Sequence, residues 1–163
     1  MGKTYIRVDD RMIHGQTIVA WAPALRIEEI IGVDDVSASN PMLKSIMTMS
    51  VPKQYKTQIV TVQDARKILS EETERTRLVI VKVPHKVTEL KDVLNTGDHI
   101  YLGNMAKRDD TNHQLQGATG IFYLSDSDID ELKALAGDGY TISFRQLPNT
   151  AETAWEDYMQ TFR

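Results

Sequence analysis

Short apolar runs recur along the chain, separated by stretches in which apolar positions return every three or four residues. The runs at 4–9, 28–33, 57–62, 77–83, 98–102, 119–124 and 140–146 read as strands. The stretches at about 15–24, 41–50, 63–72, 86–95, 126–136 and 151–161 read as helices. Strand and helix alternate almost from end to end, the pattern of repeated βαβ units. It predicts an α/β fold: an open, mainly parallel sheet of about seven strands with helices on both faces. Leu78-Val79-Ile80-Val81-Lys82-Val83 is apolar on both faces and reads as a central parallel strand.

Asn40-Pro41 supplies an N-cap followed by proline at the first helical position, and Ser125 ahead of Asp126 and Asp128 caps another helix with negative charge. Met42, Leu43, Ile46 and Met47 recur at helical spacing, as do Ile129, Leu132, Leu135 and Ala136, so both sets are expected to face the core. The least regular stretch, 103–116, reads as an exposed loop between strands whose charges are solvated. Loops of that length often border a site. No Gly/Ser linker or repeat divides the 163 residues, which are expected to form one domain, 1–163.

Composition narrows the function. With 19 Lys and Arg against 23 Asp and Glu, the chain carries a formal charge of −4, and no basic tract is interleaved with aromatics. Nucleic acid is therefore not an expected partner. The absence of cysteine excludes disulfides and thiolate chemistry and fits a cytosolic protein. The apolar stretch 18–25 is far short of the roughly 20 residues of a membrane span, and nothing resembles a secretory signal.

The chemistry concentrates in Arg7-Val8-Asp9-Asp10-Arg11-Met12-Ile13-His14-Gly15-Gln16, where the first strand gives way to the first helix. In open parallel sheets ligands bind beyond the carboxyl ends of the strands. A neutral His14 imidazole can accept a phosphoryl group, and Arg11 can offset its charge with paired donors. The free amides opening the helix at Gly15 and Gln16 can cradle its oxygens. Asp9 or Asp10 could hold the second ring nitrogen of His14, and spacing does not choose between them. Arg7 and Asp9, two apart in a strand, share a face and are expected to form a buried pair that braces the loop.

This run closely resembles the phosphorylation-site signature of the enzyme IIB component of the mannose-type (mannose, fructose, sorbose) sugar phosphotransferase system. Met12 and Thr17 stand where leucine and valine are usual. Trp21, Asp34-Asp35, Gly103-Asn104-Met105 and Leu147-Pro148 extend the similarity over the chain. The resemblance implies a cytoplasmic phosphohistidine relay, peripherally associated with a membrane permease. His14 would take a phosphoryl group at Nδ1 from the phosphorylated IIA protein, with Arg11 as principal charge partner. It would then pass the group to a hexose or amino sugar imported by the membrane IIC and IID components. No cofactor or metal is implied. The 103–116 loop departs from the glycine-rich form expected of the family.

Two other readings compete. One is an Mg²⁺-dependent receiver-like signalling domain using Asp9 and Asp10, although no aspartate ends the third predicted strand. The other is a non-catalytic module that binds a phosphorylated metabolite. His85, His99 and His113 belong to no motif and are expected at the surface or behind the site.

Overall fold

A computed structural model describes residues 2–162. The chain begins with β1 (Thr4–Asp9), α1 (Gly15–Leu25), β2 (Glu29–Val33), α2 (Asp35–Ala38), α3 (Pro41–Met49) and β3 (Lys56–Val60). It continues through α4 (Val62–Ser70), β4 (Arg77–Val81), α5 (Pro84–Leu90), β5 (His99–Asn104), β6 (Thr111–Gln114) and β7 (Tyr123–Ser125). The last elements are α6 (Asp126–Gly137), β8 (Thr141–Phe144), β9 (Thr153–Ala154) and α7 (Trp155–Gln160).

Seven strands form the main sheet in the order β3-β2-β4-β1-β5-β8-β9, and every neighbour pair is parallel except β8 with β9. β1 thus lies between β4 and β5, with the chain leaving it toward β2 on one side and crossing it from β4 to β5. The loop after β1 opens at this change of direction.

Alternation along the strands sorts side chains onto the two faces. Ile6, Val8, Val79, Val81, Ile100, Leu102, Ile142 and Phe144 join one buried cluster with residues of α4, α5, α6 and α7, including Leu69, Val87, Leu132 and Trp155. Ile30, Ile59, Leu78 and Ile80 join a second with Ile18 and Ala22 of α1 and with Met12 and Ile13 of the preceding loop. Both faces of the central strands are covered, as their uninterrupted apolar sequence requires.

Several expectations need correction. The run at 119–124 is not a strand of the main sheet: only Tyr123–Ser125 is extended, and it pairs antiparallel with β6 in a separate ribbon. The seventh place in the main sheet goes instead to the two-residue β9, too short for a sequence pattern to announce. The 103–116 stretch accordingly contains a strand. One of its charges is not merely solvated, since Arg108 pairs with Asp128, which is buried at the start of α6, at 2.5 Å. The helix predicted at 86–95 starts with Pro84 and ends at Leu90, and that at 151–161 shortens to Trp155–Gln160.

Only half of the apolar face expected on α3 turns inward: Met42 is 73% exposed and Ile46 59% exposed, while Leu43 is half-buried and Met47 packs against the second cluster, and no residue of this helix is fully buried. The reason is placement, because α3 runs beside α2 and β3 at the sheet's edge, where there is little surface to cover. By contrast Ile129, Leu132 and Leu135 of α6 are buried as expected, and Ala136 packs against the same cluster. The caps also form as read: the Asn40 side chain accepts from the amides of Met42 and Leu43, and Ser125 and Asp128 make a reciprocal capping box.

Candidate functional site

The chain leaves β1 at Asp9 through a tight turn closed by the Met12 amide donating to the Asp9 carbonyl at 3.0 Å. Met12 adopts φ 63°, a left-handed conformation unusual for a residue with a long side chain, while that side chain is 2% exposed in the second cluster. The turn is therefore held by its surroundings rather than by local preference.

Asp9 is fully buried and its carboxylate gathers the turn. Its oxygens accept from the Arg11 amide at 2.9 Å, Arg11 Nε at 3.1 Å, Arg11 Nη2 at 2.9 Å and Arg7 Nη2 at 3.4 Å. The predicted Arg7–Asp9 pair is thus present, with both side chains almost wholly buried. Burial holds the Arg7 guanidinium down to about 10, partly offset by Asp9, with Arg11 adding to the lowering. Arg7 also donates to the carbonyls of Arg145 at 3.3 Å and Gln146 at 3.0 Å, and its guanidinium lies 5.4 Å from the centre of the Trp21 ring. It occupies the space a side chain at Gly103 would fill, since a Cβ there would come within 2.1 Å of Arg7 Cζ. Glycine at 103 is a packing requirement of the arginine.

Arg11 reaches outward from Asp9. The bidentate contact with that carboxylate raises its pKa, and Nη2 also donates to the Thr17 hydroxyl at 3.3 Å. Its side chain is 35% exposed, and Nη1 has no partner among the described residues. Arg11 is consequently a cation fixed along one edge and open along the other.

His14 is exposed and stands at the N-cap of α1 in an extended conformation (φ −118°, ψ 119°). Its side chain makes no hydrogen bond among the described residues. The first amide bonded into the helix is that of Ile18, donating to the His14 carbonyl at 3.1 Å. The amides of Gly15, Gln16 and Thr17 ahead of it have no acceptor among the described residues, which leaves three N–H groups and the positive helix end beside the imidazole. Gly15 approaches protein as well as solvent: a Cβ there would lie 2.8 Å from the Ser50 carbonyl oxygen, so the end of α3 abuts the start of α1.

Asp10 points away from His14. Its two oxygens accept from Asn104 Nδ2 and from the Ala106 amide, each at 2.7 Å, and its own amide donates to the Asn104 carbonyl at 3.1 Å. Neither aspartate therefore reaches the imidazole. Asp9, Arg11, His14, Gly15 and Gln16 lie together around one turn, as their order along the chain requires. The sequence reading missed Asn104 as a partner of that turn, although Gly103-Asn104-Met105 stood out. Nothing in the spacing says which strand will lie beside β1.

The other histidines are elsewhere. His85 Nδ1 is 2.7 Å from Glu131, His113 Nε2 is 2.7 Å from Asp126, and His99 Nε2 is 2.8 Å from the Ser143 hydroxyl. Burial lowers the pKa of His99, which stacks on Tyr101 with ring centres 3.9 Å apart. No group of acidic and histidine side chains among the described residues is arranged to hold a metal ion.

An open, mainly parallel sheet with helices on both faces and a loop that opens where the chain changes direction defines the doubly wound α/β class. Comparison with known proteins makes the class specific. A family model for the sorbose subfamily IIB component of the phosphotransferase system (PTS) matches residues 3–163, and the chain belongs to that family. It is a phosphoryl carrier of a sugar phosphotransferase system, and its activity is that of a phosphotransferase. The chain is 28% identical over 159 residues to the PTS fructose-specific EIIB component of Bacillus subtilis strain 168, covering 96% of this chain and 93% of that protein. It is 26% identical over 144 residues to the PTS mannose-specific EIIAB component of Escherichia coli K12, spanning 86% of this chain but 43% of that longer protein. Among solved structures, the IIBSor domain of the sorbose permease from Klebsiella pneumoniae superposes with a TM-score of 0.88 at 20% identity. That match covers 100% of this chain and 99% of that domain, a likeness of fold.

Proposed function

We propose that His14 is the phosphoryl acceptor and that Arg11 and the amides of Gly15 and Gln16 hold the transferred group. The observation that carries this reading is the exposed, unbonded His14 at the N-cap of α1, followed by three helix amides without acceptors, with Arg11 three residues earlier bonded to Thr17 of the same helix and open along one edge. In the first step a ring nitrogen of His14, Nδ1 by family resemblance, attacks the phosphorus of a phosphohistidine on a IIA protein or domain. The donor N–P bond breaks as the His14 N–P bond forms. In the second step a sugar hydroxyl oxygen attacks that phosphorus, the His14 N–P bond breaks as the O–P bond forms, and the hydroxyl proton ends on the departing imidazole, which leaves His14 neutral. Positioning and charge stabilisation suffice because the donor bond is already activated. Asp9 supports the site by holding Arg11, and Asp10 by holding the turn.

By the same reading residues 1–163 act as one IIB unit on the cytoplasmic side of the membrane. They work between a IIA donor and the IIC and IID permease components that bring in a hexose or amino sugar. No helix of the described residues is long and apolar enough to cross a membrane, which fits a peripheral role. The receiver-like alternative would require Asp9 to surrender two guanidinium partners to a cation.

Intact-mass measurement after incubation with a phosphorylated IIA donor should show one added phosphoryl group, labile to acid and lost in His14→Ala. Stoichiometric labelling of that variant would refute the assignment. Ligand binding without any covalent adduct would favour the metabolite-binding module.

A further inference from the structure

We infer that Asn104 is a positioning residue for phosphoryl transfer, acting on His14 through Asp10, a role that rests on the assignment of His14 above. The loop 10–14 has no regular structure, yet a transferring imidazole has to be presented within a fraction of an ångström. What fixes the start of this loop is the end of β5. The pairing of β1 with β5 shifts register between Val8 and Asp9: Val8 lies opposite Leu102 and Asp9 opposite Asn104, which leaves Gly103 as the extra residue. Such irregularities re-aim a side chain at the end of a strand. Here the shift brings Asn104, 6% exposed, against Asp10, and three bonds form between the two segments: Asp10 amide to Asn104 carbonyl, Asn104 side-chain amide to Asp10 carboxylate, and Ala106 amide to the same carboxylate.

Asp10 is the only described residue to which the Asn104 side chain is bonded, so this buried amide serves the loop. Two residues further on, Met12 is held at φ 63°. A conformation of that kind persists only while its neighbours over-determine it. Releasing Asp10 lets the turn relax toward ordinary backbone angles and moves His14 relative to the amides of Gly15, Gln16 and Thr17. A displacement of about 1 Å is enough to slow a positioned reaction by about 10²-fold.

The test is single-turnover transfer from a phosphorylated IIA donor to the full chain. Asn104→Ala should lower the saturating rate by about 10- to 100-fold while the donor concentration at half-saturation stays within about twofold. Asn104→Asp, which sets two carboxylates against each other, should be slow, whereas Asp10→Asn can be met by a flip of the Asn104 carboxamide and should lose less. The double variant should recover most of the rate, because the amide and the carboxylate have only exchanged places and the carboxamide oxygen then at position 10 can still accept from Ala106. This exchange keeps the test decisive where the alanine variant folds poorly. Wild-type rates in Asn104→Ala and Asn104→Asp, a loss confined to half-saturation, or a double variant no faster than Asn104→Asp would overturn the role of Asn104. If labelling still depends on His14 in those cases, the proposed function stands and only the positioning role fails. Labelling that survives His14→Ala would remove both.

Discussion

Replacing Asp9 by asparagine should be among the most damaging changes of one functional group in this protein, and its cost can be worked from the contacts. The carboxylate is fully buried and accepts four hydrogen bonds, three from Arg11 and one from Arg7. An asparagine keeps the shape but loses the charge, and it turns an NH₂ group toward arginine donors. Arg11 is partly in water and can rehydrate, so its lost contacts cost little. Arg7 is 1% exposed and its Nε already lacks a partner, so it would remain as a buried cation supported only by the carbonyls of Arg145 and Gln146 and the Trp21 ring. Removing one partner of a buried ion pair costs about 3–5 kcal/mol. At about 2–4 °C per kcal/mol for a chain of this length, the melting midpoint should fall on the order of 10 °C. Urea unfolding at pH 7, followed by far-ultraviolet circular dichroism, gives the stability difference directly. A loss below about 1 kcal/mol would refute the view that Arg7 depends on Asp9 for its charge balance. A guanidinium keeps its proton near neutrality with or without Asp9, so the loss should be flat between about pH 6 and 8.

Gly103→Ala should approach the same defect from the other side, since its Cβ would lie 2.1 Å from Arg7 Cζ; a loss at or above the top of the usual range of about 1–3 kcal/mol is expected in urea unfolding. Asp34 caps α2 by accepting from the Ser37 hydroxyl at 2.6 Å and its amide at 3.0 Å; burial pushes its carboxyl up, but these bonds and Lys82 outweigh burial and leave it below the usual value. Its contribution is therefore complete above the unfolded value of about 4 and is lost as pH falls through the lower folded value, so the destabilisation of Asp34→Ala, about 1 kcal/mol at pH 7, should shrink in urea titrations carried toward about pH 2.5. Arg11→Lys should keep the fold but accept phosphoryl groups slowly, because an ammonium cannot both span the Asp9 carboxylate and present an open edge; mass-resolved labelling rates check this. Met42→Ser and Ile46→Ser, on the exposed side of α3, should each change stability by less than about 0.5 kcal/mol, and a larger thermal shift would contradict their placement.

The local part of this architecture is written in the chain itself. Periodicity placed the alternating strands and helices, period-two alternation put Arg7 and Asp9 on one face, and cap residues marked the starts of α3 and α6. The turn carrying His14 was legible because strand end, reactive residue and helix start follow one another within a single short run. Everything that depends on which distant segments become neighbours was settled by the way the sheet assembles. The parallel crossover that sets β5 beside β1 brings Asn104 to Asp10 across 94 residues of sequence, and the segment after β8 brings the carbonyls of Arg145 and Gln146 to Arg7. Placement at the sheet's edge left Met42 and Ile46 of α3 uncovered, where their spacing alone had implied a core. Local propensity and spacing act over a turn or a pleat, whereas the order of strands in the sheet decides which carboxylate meets which partner.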